Sequence, residues 1–200
     1  MSNKQVLIME NFIIEENVGS EKLFNYVKRI KISERVIDEP HLIKNPKIIV
    51  YGRNCRQNRS VGFFSDSSNG YKYSNQIMKS QKLTPVFKRL LEDVNKRYGT
   101  SFNGILLNMY ENGSEYIGKH RDDESGLDTN KKAIGSISYG SERTFRIRDN
   151  EGKIVRNIKT KHGMFMMMFD NFQEMYTHEI PIEKKIKEPR WSLTFREHKE

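Results

Sequence analysis

Cysteine occurs once in the 200-residue sequence, at Cys55, so an intrachain disulfide bond is excluded. The sequence also lacks any apolar run of about 18 residues, the length that a membrane-spanning helix needs. Residues 1–13 (MSNKQVLIMENFI) lack the long apolar segment of a signal peptide. These absences predict a soluble, intracellular protein in a reducing compartment, with no membrane partner.

Internal repeats and low-complexity linkers are absent as well, and 200 residues is an ordinary length for one domain. We therefore expect residues 1–200 to form a single domain, and we expect a monomer. Acidic residues are outnumbered, with 26 Asp and Glu against 35 Lys and Arg, a net charge of +9 and a pI near 9.5. A positive surface attracts polyanions, so nucleic acid is the first partner to consider. The alternative is that the lysines only keep the protein soluble.

Two segments have the pattern of amphipathic helices. Residues 20–30 begin with a capping serine, and residues 84–99 have Thr84 as a cap, Pro85 in the first turn and Gly99 after the end. From about residue 102 the hydrophobic period changes from 3.6 to 2, which indicates strands. The predicted strands are 105–110, 133–140, 143–149, 163–169 and 190–197, with shorter ones at 47–52 and 71–74. Helices followed by strands predict an α+β fold, mainly β: an antiparallel sandwich or jelly roll buttressed by N-terminal helices.

The strand at 190–196 (RWSLTFR) alternates strictly, with its two arginines, Arg190 and Arg196, on the polar face. They lie roughly 20 Å apart along the strand, and their side chains leave a gap near the length of a small dicarboxylate. An ordinary solvent-facing polar row has the same pattern. In residues 105–110 (ILLNMY), Asn108 and Tyr110 share one face, where they can orient a ligand or bond to neighbouring strands.

Residues 117–124 (IGKHRDDE) place His120 and Asp122 two positions apart, so on a strand both side chains project from one face. A second histidine would complete a two-histidine, one-carboxylate site, which leaves open positions on Fe(II) for oxygen and a co-substrate. Among the remaining histidines, His178 lies on a strand-like stretch ahead of Arg190, whereas His162 precedes a glycine at a turn. A zinc hydrolase can use the same three ligands.

The order of these motifs resembles that of the AlkB family of Fe(II)- and 2-oxoglutarate-dependent dioxygenases, with the branch that repairs double-stranded DNA as the nearest match. The resemblance covers most of the chain and rests on LLNMYENGSEYIGKHRDDE, IGSISYGSERTFRIR, HGMFMMM and EPRWSLTFR. It implies a double-stranded β-helix, in which residues 1–100 supply helices and nucleotide-recognition strands and residues 101–200 form the catalytic core. It implies Fe(II) bound by His120, Asp122 and His178. It also implies 2-oxoglutarate bound by Asn108, Tyr110, Arg190, Thr194 and Arg196.

The activity that the resemblance implies is oxidative demethylation of 1-methyladenine and 3-methylcytosine in DNA, with O2 consumed and formaldehyde, succinate and CO2 released. Both methylated bases are cationic, which explains carboxylates beside the metal: Asp123 and Glu124 match family positions that contact the lesion. Extraction of a base from a duplex requires a wedge and an aromatic pocket.

For these roles the resemblance suggests Tyr51 as the intercalating side chain and Tyr73 as a stacking partner of the base, with Tyr71 and Phe64 as further candidates. Arg53, Arg56 and Arg59 suit phosphates. Arg143 matches a family position and either organises the site or contacts the nucleic-acid backbone. Three alternatives remain open: an RNA demethylase, a catalytically idle nucleic-acid-binding module, and a protein hydroxylase on the same scaffold.

Overall fold

The computed structural model of the protein describes residues 6–9, 11–50, 52–73, 76–124, 127 and 133–199. The first half of the chain forms β1 (Val6–Met9), β2 (Phe12–Glu15), α1 (Glu21–Val27), β3 (Lys31–Ser33), β4 (His41–Lys44), β5 (Lys47–Val50), β6 (Arg53–Arg56), β7 (Ser60–Ser65), β8 (Gly70–Tyr73), β9 (Gln76–Lys79) and α2 (Pro85–Tyr98). The second half forms β10 (Gly104–Tyr110), β11 (Ile117–His120), β12 (Ile134–Gly140), β13 (Arg143–Asp149), β14 (Ile154–Thr160), β15 (Phe165–Met168), α3 (Phe172–Met175), β16 (Tyr176–Ile180) and β17 (Arg190–Arg196).

Two sheets face each other. The larger has nine strands in the order β1-β2-β15-β12-β17-β10-β7-β4-β3, and the smaller has four in the order β11-β16-β13-β14. Between them lies an apolar core to which the larger sheet contributes Ile134 and Met166, and the smaller sheet Phe145, Ile147 and Ile180. Most neighbouring strands are distant in sequence, as in a jelly roll, so the predicted fold class is confirmed. Strands from before and after residue 100 share the larger sheet.

The N-terminal helices α1 and α2 cover the outer face of the larger sheet, as predicted. Helix α2 begins where expected: the Thr84 hydroxyl accepts a hydrogen bond from the backbone N–H of Phe87 at 3.3 Å. It ends at Gly99, whose φ of 66° is the left-handed conformation that favours glycine. Buried Leu91 and Val94 pack in one core with Leu193 and other residues on the helix-facing side of β10, β12 and β17. No helix within the described ranges is long and apolar enough to cross a membrane.

The first half of the chain has more strands than the sequence predicted. Strand β7 is buried along its whole length, because Phe64 packs on Phe87 of α2 at 4.9 Å on one face and Phe63 packs on Tyr71 of β8 at 5.8 Å on the other. A strand that is buried on both faces has no alternation of polar and apolar residues, so the sequence pattern did not predict β7. Helix α1 ends at Val27 rather than at residue 30, although Ile30 still packs in the same core as Leu91 and Val94 of α2.

Candidate active site

The polar faces of β10, β12 and β17 line a cavity between the two sheets. These strands are neighbours in register, with Tyr110 opposite Arg190 and Leu106 opposite Thr194. The apolar residues of the same strands point outward into the core under the helices, which confirms the alternation seen in the sequence. The residues predicted to hold the metal and 2-oxoglutarate all line this one cavity: Asn108, Tyr110, His120, Asp122, His178, Arg190, Thr194 and Arg196.

Three potential metal ligands meet at one wall of the cavity. The antiparallel pairing of β11 and β16 places His120 directly opposite His178, and Asp122 follows two residues after the end of β11. Asp122 Oδ1 lies 3.8 Å from His120 Nε2, and Oδ2 lies 3.6 Å from His178 Nε2. One ligand atom from each residue lies within 4.8 Å of the other two. Two imidazoles and one carboxylate on one side are a donor set that suits Fe(II) with open positions.

The protonation states of these three residues suit metal binding. Burial lowers the pKa of His120, and burial together with the neighbouring His120 lowers the pKa of His178 to about 3. Burial alone would raise the pKa of Asp122, but the Arg196 guanidinium holds it well below its usual range. Neutral imidazoles and an ionised carboxylate are the forms that bind a metal ion.

Hydrogen bonds and ring contacts orient the ligands. Nδ1 of His120 lies 2.9 Å from the carbonyl oxygen of Gly118, so it carries the proton and leaves the lone pair of Nε2 facing Asp122. The His178 ring stacks on Phe145, with centroids 5.1 Å apart, which fixes its plane. Within the described part of the chain, its buried Nδ1 has no hydrogen-bond partner.

Hydrogen bonds fix both the backbone and the side chain of Asp122. Its backbone N–H donates to Oε1 of Gln173 on α3 at 3.0 Å, and its Oδ1 accepts from Nη2 of Arg196 at 2.6 Å. Gln173 was not predicted from the sequence. It lies on a four-residue helix, which is too short to show a hydrophobic period.

The two arginines of β17 are buried and incompletely paired. Arg190 and Arg196 are 2% and 3% exposed. Nη2 of Arg190 donates to Ser138 Oγ at 2.8 Å, while Nε of Arg190 and both Nε and Nη1 of Arg196 lack hydrogen-bond partners among the described residues. Buried cationic donors are costly unless an anion bonds to them. A small dicarboxylate lying along β17 would bond to both guanidinium groups, so the site fits 2-oxoglutarate.

The two acidic residues that follow Asp122 lie in different environments. Asp123 is exposed, whereas Glu124 is half-buried and accepts a hydrogen bond from the Tyr71 hydroxyl. Burial raises the pKa of Glu124, and its second carboxylate oxygen has no partner among the residues described. The buried Tyr71 ring lies under the Arg196 guanidinium at 5.1 Å and lines the cavity.

Two sequence-based expectations do not fit the structure, and for Arg143 the structure supports the first of the two expected roles. Arg59 was expected to contact phosphates, but it is 4% exposed and its Nε donates to Asn108 Oδ1 at 2.8 Å inside the cavity. Phe64 was a candidate for the base pocket, but it lies in the core under α2. Arg143 is buried and donates to the carbonyl oxygens of Asn112, Glu115 and Pro181, so it organises loops and does not reach a nucleic-acid backbone.

Of the remaining residues predicted to contact nucleic acid, the structure describes some and not others. Arg53 and Arg56 lie on β6, where every residue is exposed. Tyr51 lies outside the described residues, and so does the side chain of Tyr73, whose backbone is part of β8.

Several cavity residues were missed. The period of two in β12 and β17 places Ser136 and Ser192 on the polar faces of their strands. The sequence alone therefore indicates that both could line the cavity. Met166 and Met168 are buried and also line the cavity.

Comparison with known proteins supports the resemblance. Residues 5–196 match the family model of the 2OG-Fe(II) oxygenase superfamily. Human DNA oxidative demethylase ALKBH2 is 32% identical over 158 residues, which cover 75% of this chain and 60% of that protein. Human alpha-ketoglutarate-dependent dioxygenase alkB homolog 3 is 32% identical over 121 residues, covering 56% of this chain and 42% of that protein. The chain thus spans about 60% or less of the length of these two relatives.

Two solved structures have a similar fold. The structure of OsALKBH1 has a TM-score of 0.67 and 12% identity, with 97% of this chain and 100% of that chain covered. A 2OG-Fe(II) oxygenase family oxidoreductase from Burkholderia pseudomallei has a TM-score of 0.57 and 11% identity, with 93% and 84% covered. At these identities the two structures support the jelly-roll fold alone.

Proposed function

Because this chain belongs to the 2OG-Fe(II) oxygenase superfamily, in its AlkB branch, we propose that it is an oxidative demethylase of N-alkylated nucleobases in DNA. The proposed substrates are 1-methyladenine and 3-methylcytosine. The observation that carries the proposal is the buried His120–Asp122–His178 cluster in the same cavity as two buried, incompletely paired arginines.

His120, Asp122 and His178 would hold Fe(II), and Arg190 and Arg196 would bind the two carboxylates of 2-oxoglutarate. Asn108, Tyr110 and Thr194 would line the same wall. When bound, Fe(II) and 2-oxoglutarate use O2 to hydroxylate the methyl group, which leaves as formaldehyde while succinate and CO2 are formed.

The protein's own residues orient the reactants. Arg59 bonds to Asn108 and thereby holds that amide at the cavity wall. Arg196 bonds to Asp122 as well as facing the cavity, which couples the site for the co-substrate to a metal ligand. Phe145, Ile180 and the two cavity methionines are apolar and would limit the entry of water.

A cationic methylated base is favoured by the carboxylates beside the metal. Glu124, oriented by Tyr71, would accept a hydrogen bond from the exocyclic amine of the base, and Asp123 would contribute negative charge at the entrance. Arg53 and Arg56 would bind phosphates. Tyr51 as the intercalating side chain and Tyr73 as the stacking partner remain proposals, as does the division into a recognition half (1–100) and a catalytic half (101–200).

The test is demethylation of defined oligonucleotides. Protein loaded anaerobically with Fe(II) and 2-oxoglutarate is exposed to O2, and loss of 1-methyladenine from duplex DNA is followed by mass spectrometry. His178→Ala removes one proposed ligand, and His162→Ala is the matched control, because His162 is 40% exposed and pairs with Glu21. We expect wild type and His162→Ala to remove the methyl group and His178→Ala to lose at least about 100-fold in rate.

Other outcomes would replace the proposal. Repair of single-stranded RNA but not of DNA would indicate an RNA demethylase. Consumption of 2-oxoglutarate without turnover of any methylated nucleic acid would point to a protein substrate. Oligonucleotide binding without consumption of 2-oxoglutarate would indicate an idle binding module.

A further inference from the structure

A cleft of about 620 Å³ lies beside the active-site cavity. One wall is residues 34–41, and another is β9 with the residues that follow it. Tyr71 lines both the cleft and the cavity. The segment 57–59 does the same, since Gln57 lines the cleft and Arg59 lines the cavity. The two spaces are therefore neighbours that share a partition.

The cleft contains a buried hydrogen-bond acceptor without a partner. Gln57 is 6% exposed, and its Oε1 accepts no hydrogen bond from any residue in the described ranges. Its backbone is fixed, because its N–H donates to the carbonyl oxygen of Pro46 and its own carbonyl oxygen accepts from Asn45 at 3.0 Å. A buried acceptor without a hydrogen-bond partner is unfavourable, so an N–H or O–H donor at this position would be stabilising.

Another glutamine in the same cleft shows the contrast. Oε1 of Gln81 accepts from the backbone N–H of His41 at 3.0 Å, and its Nε2 donates to the carbonyl oxygen of His41 at 2.9 Å. The Gln81 amide is thus used to hold the wall of the cleft together. The Gln57 oxygen makes no such bond to a residue in the described part of the chain.

Charged side chains of both signs border the cleft. Lys47, Lys79 and Lys82 are exposed and suit a phosphate. Glu34 and Asp38 lie on the wall formed by residues 34–41 and, like Gln57, are acceptors. The third acid of that wall, Glu39, is paired with Lys31 at 2.6 Å. Arg35 adds a cation on the same wall as these acids. Cations and acceptors therefore both border the cleft, and a nucleotide carries an anionic phosphate and a base with N–H donors.

We propose that this cleft binds the nucleotide next to the methylated base in the substrate strand, with the base of that neighbour donating a hydrogen bond to Gln57 Oε1. The proposal rests on the proposed function, since it requires a nucleic-acid substrate in the adjoining cavity. Tyr71 and the 57–59 segment would separate the two nucleotides. Recognition would extend from the methylated base to its neighbour.

The experiment measures binding by the whole protein with Mn(II) and 2-oxoglutarate, using fluorescence anisotropy. Two labelled single-stranded DNA probes each carry one 1-methyladenine. One has ordinary bases on both sides, and the other has abasic sites at both neighbouring positions. Gln57→Met removes the acceptor at nearly constant volume, Lys79→Ala removes a rim cation, and Lys96→Ala on the exposed side of α2 is the matched control. Circular dichroism checks that each variant is folded, and the Lys79 variant provides an exposed substitution that does not disturb packing.

We expect Gln57→Met to weaken binding of the intact probe by about two- to tenfold and to leave binding of the abasic probe unchanged. Lys79→Ala should weaken binding of both probes, and Lys96→Ala neither. Equal affinity of wild type for the two probes, or an equal effect of Gln57→Met on both, overturns the inference. If one of these two binding results is found and the wild-type protein still demethylates the intact probe, only this inference fails and the proposed function stands. If no methylated probe is bound or demethylated, the proposed function fails with it.

Discussion

At the scale of single residues, the candidate metal site depends on side chains that do not touch the metal position. Gln173 accepts a hydrogen bond from the backbone N–H of Asp122, and Gly118 accepts one from Nδ1 of His120. Such partners fix the orientation of ligands before the metal arrives, and their loss lowers affinity even when every ligand remains.

Gln173→Ala is therefore expected to weaken metal binding. The backbone N–H of Asp122 loses its acceptor, and the carboxylate of the same residue is less well oriented. We expect the dissociation constant for Mn(II), measured by titration calorimetry without substrate, to rise by about tenfold or more. The exposed Gln76→Ala is the control. An unchanged Mn(II) affinity, with only the urea midpoint of the metal-free protein lowered, would show that Gln173 has a structural role alone.

At the scale of elements, Arg143 and Glu183 join β13 to the segment that leads from β16 to β17. The Glu183 carboxylate accepts hydrogen bonds from the Thr144 hydroxyl at 2.8 Å and from Lys159 at 2.8 Å, and it pairs with Arg143 at 3.3 Å. The backbone N–H of Glu183 donates to the carbonyl oxygen of Gly113. These bonds hold the residues that precede Arg190, and they thus position the start of β17.

This cluster makes stability depend on pH. Burial would raise the pKa of Glu183, but the bonds from Lys159 and Thr144 outweigh it and lower the pKa from an ordinary 4.5 to about 2. A carboxyl group whose folded-state pKa is lowered stabilises the fold above its unfolded-state pKa, and that contribution is lost as pH falls towards the folded-state value. The loss should occur between about pH 4.5 and pH 2.

Glu183→Gln is expected to be less stable than wild type at pH 6, with the difference in free energy of unfolding shrinking as pH is lowered through that window. Urea unfolding at a series of pH values measures it. Glu188→Gln, an exposed position a few residues further on, should follow the wild-type curve. A difference between Glu183→Gln and wild type that stays constant from pH 6 to pH 3 would contradict the assignment.

At the scale of the whole molecule, the net charge of +9 should govern how strongly a nucleic acid is held. Binding to a polyanion releases counterions, so affinity falls as salt concentration rises, with a log–log slope that reflects the number of phosphates neutralised. Exposed β6 is the described element that places two of the predicted arginines on the surface.

Replacing both Arg53 and Arg56 by alanine is expected to reduce that slope by about 2, because each arginine would neutralise one phosphate. Anisotropy titrations of methylated duplex DNA between about 50 and 200 mM salt provide the measurement. Arg89→Ala combined with Lys96→Ala removes the same charge from the exposed side of α2 and should leave the slope closer to that of wild type. Equal slopes for the two double variants would mean that β6 has no particular role in binding and that only net charge matters.

The sequence predicted the structure best where a strand has one polar face and one apolar face. The alternation in β17 identified Arg190, Thr194 and Arg196 as neighbours on one face because the side-chain period of a strand is two and depends on no other element. Helix α2 was located to the residue for a similar local reason, since Thr84 and Gly99 satisfy its terminal backbone groups. The division at residue 100, the monomeric state and the roles of Tyr51 and Tyr73 remain predictions.

What the sequence determined by itself was therefore local: the caps, the periods, the order of the motifs and, through their resemblance to a family, the chemistry of the metal and 2-oxoglutarate. The tertiary structure decided which polar side chains turn inward. Arg59 follows an exposed strand and lies in an irregular segment, yet it enters the cavity to reach Asn108, and Gln57 two residues earlier faces a different cleft. The direction of a side chain outside a regular helix or strand is set by the elements packed around it, which are distant in sequence and carry no local signal.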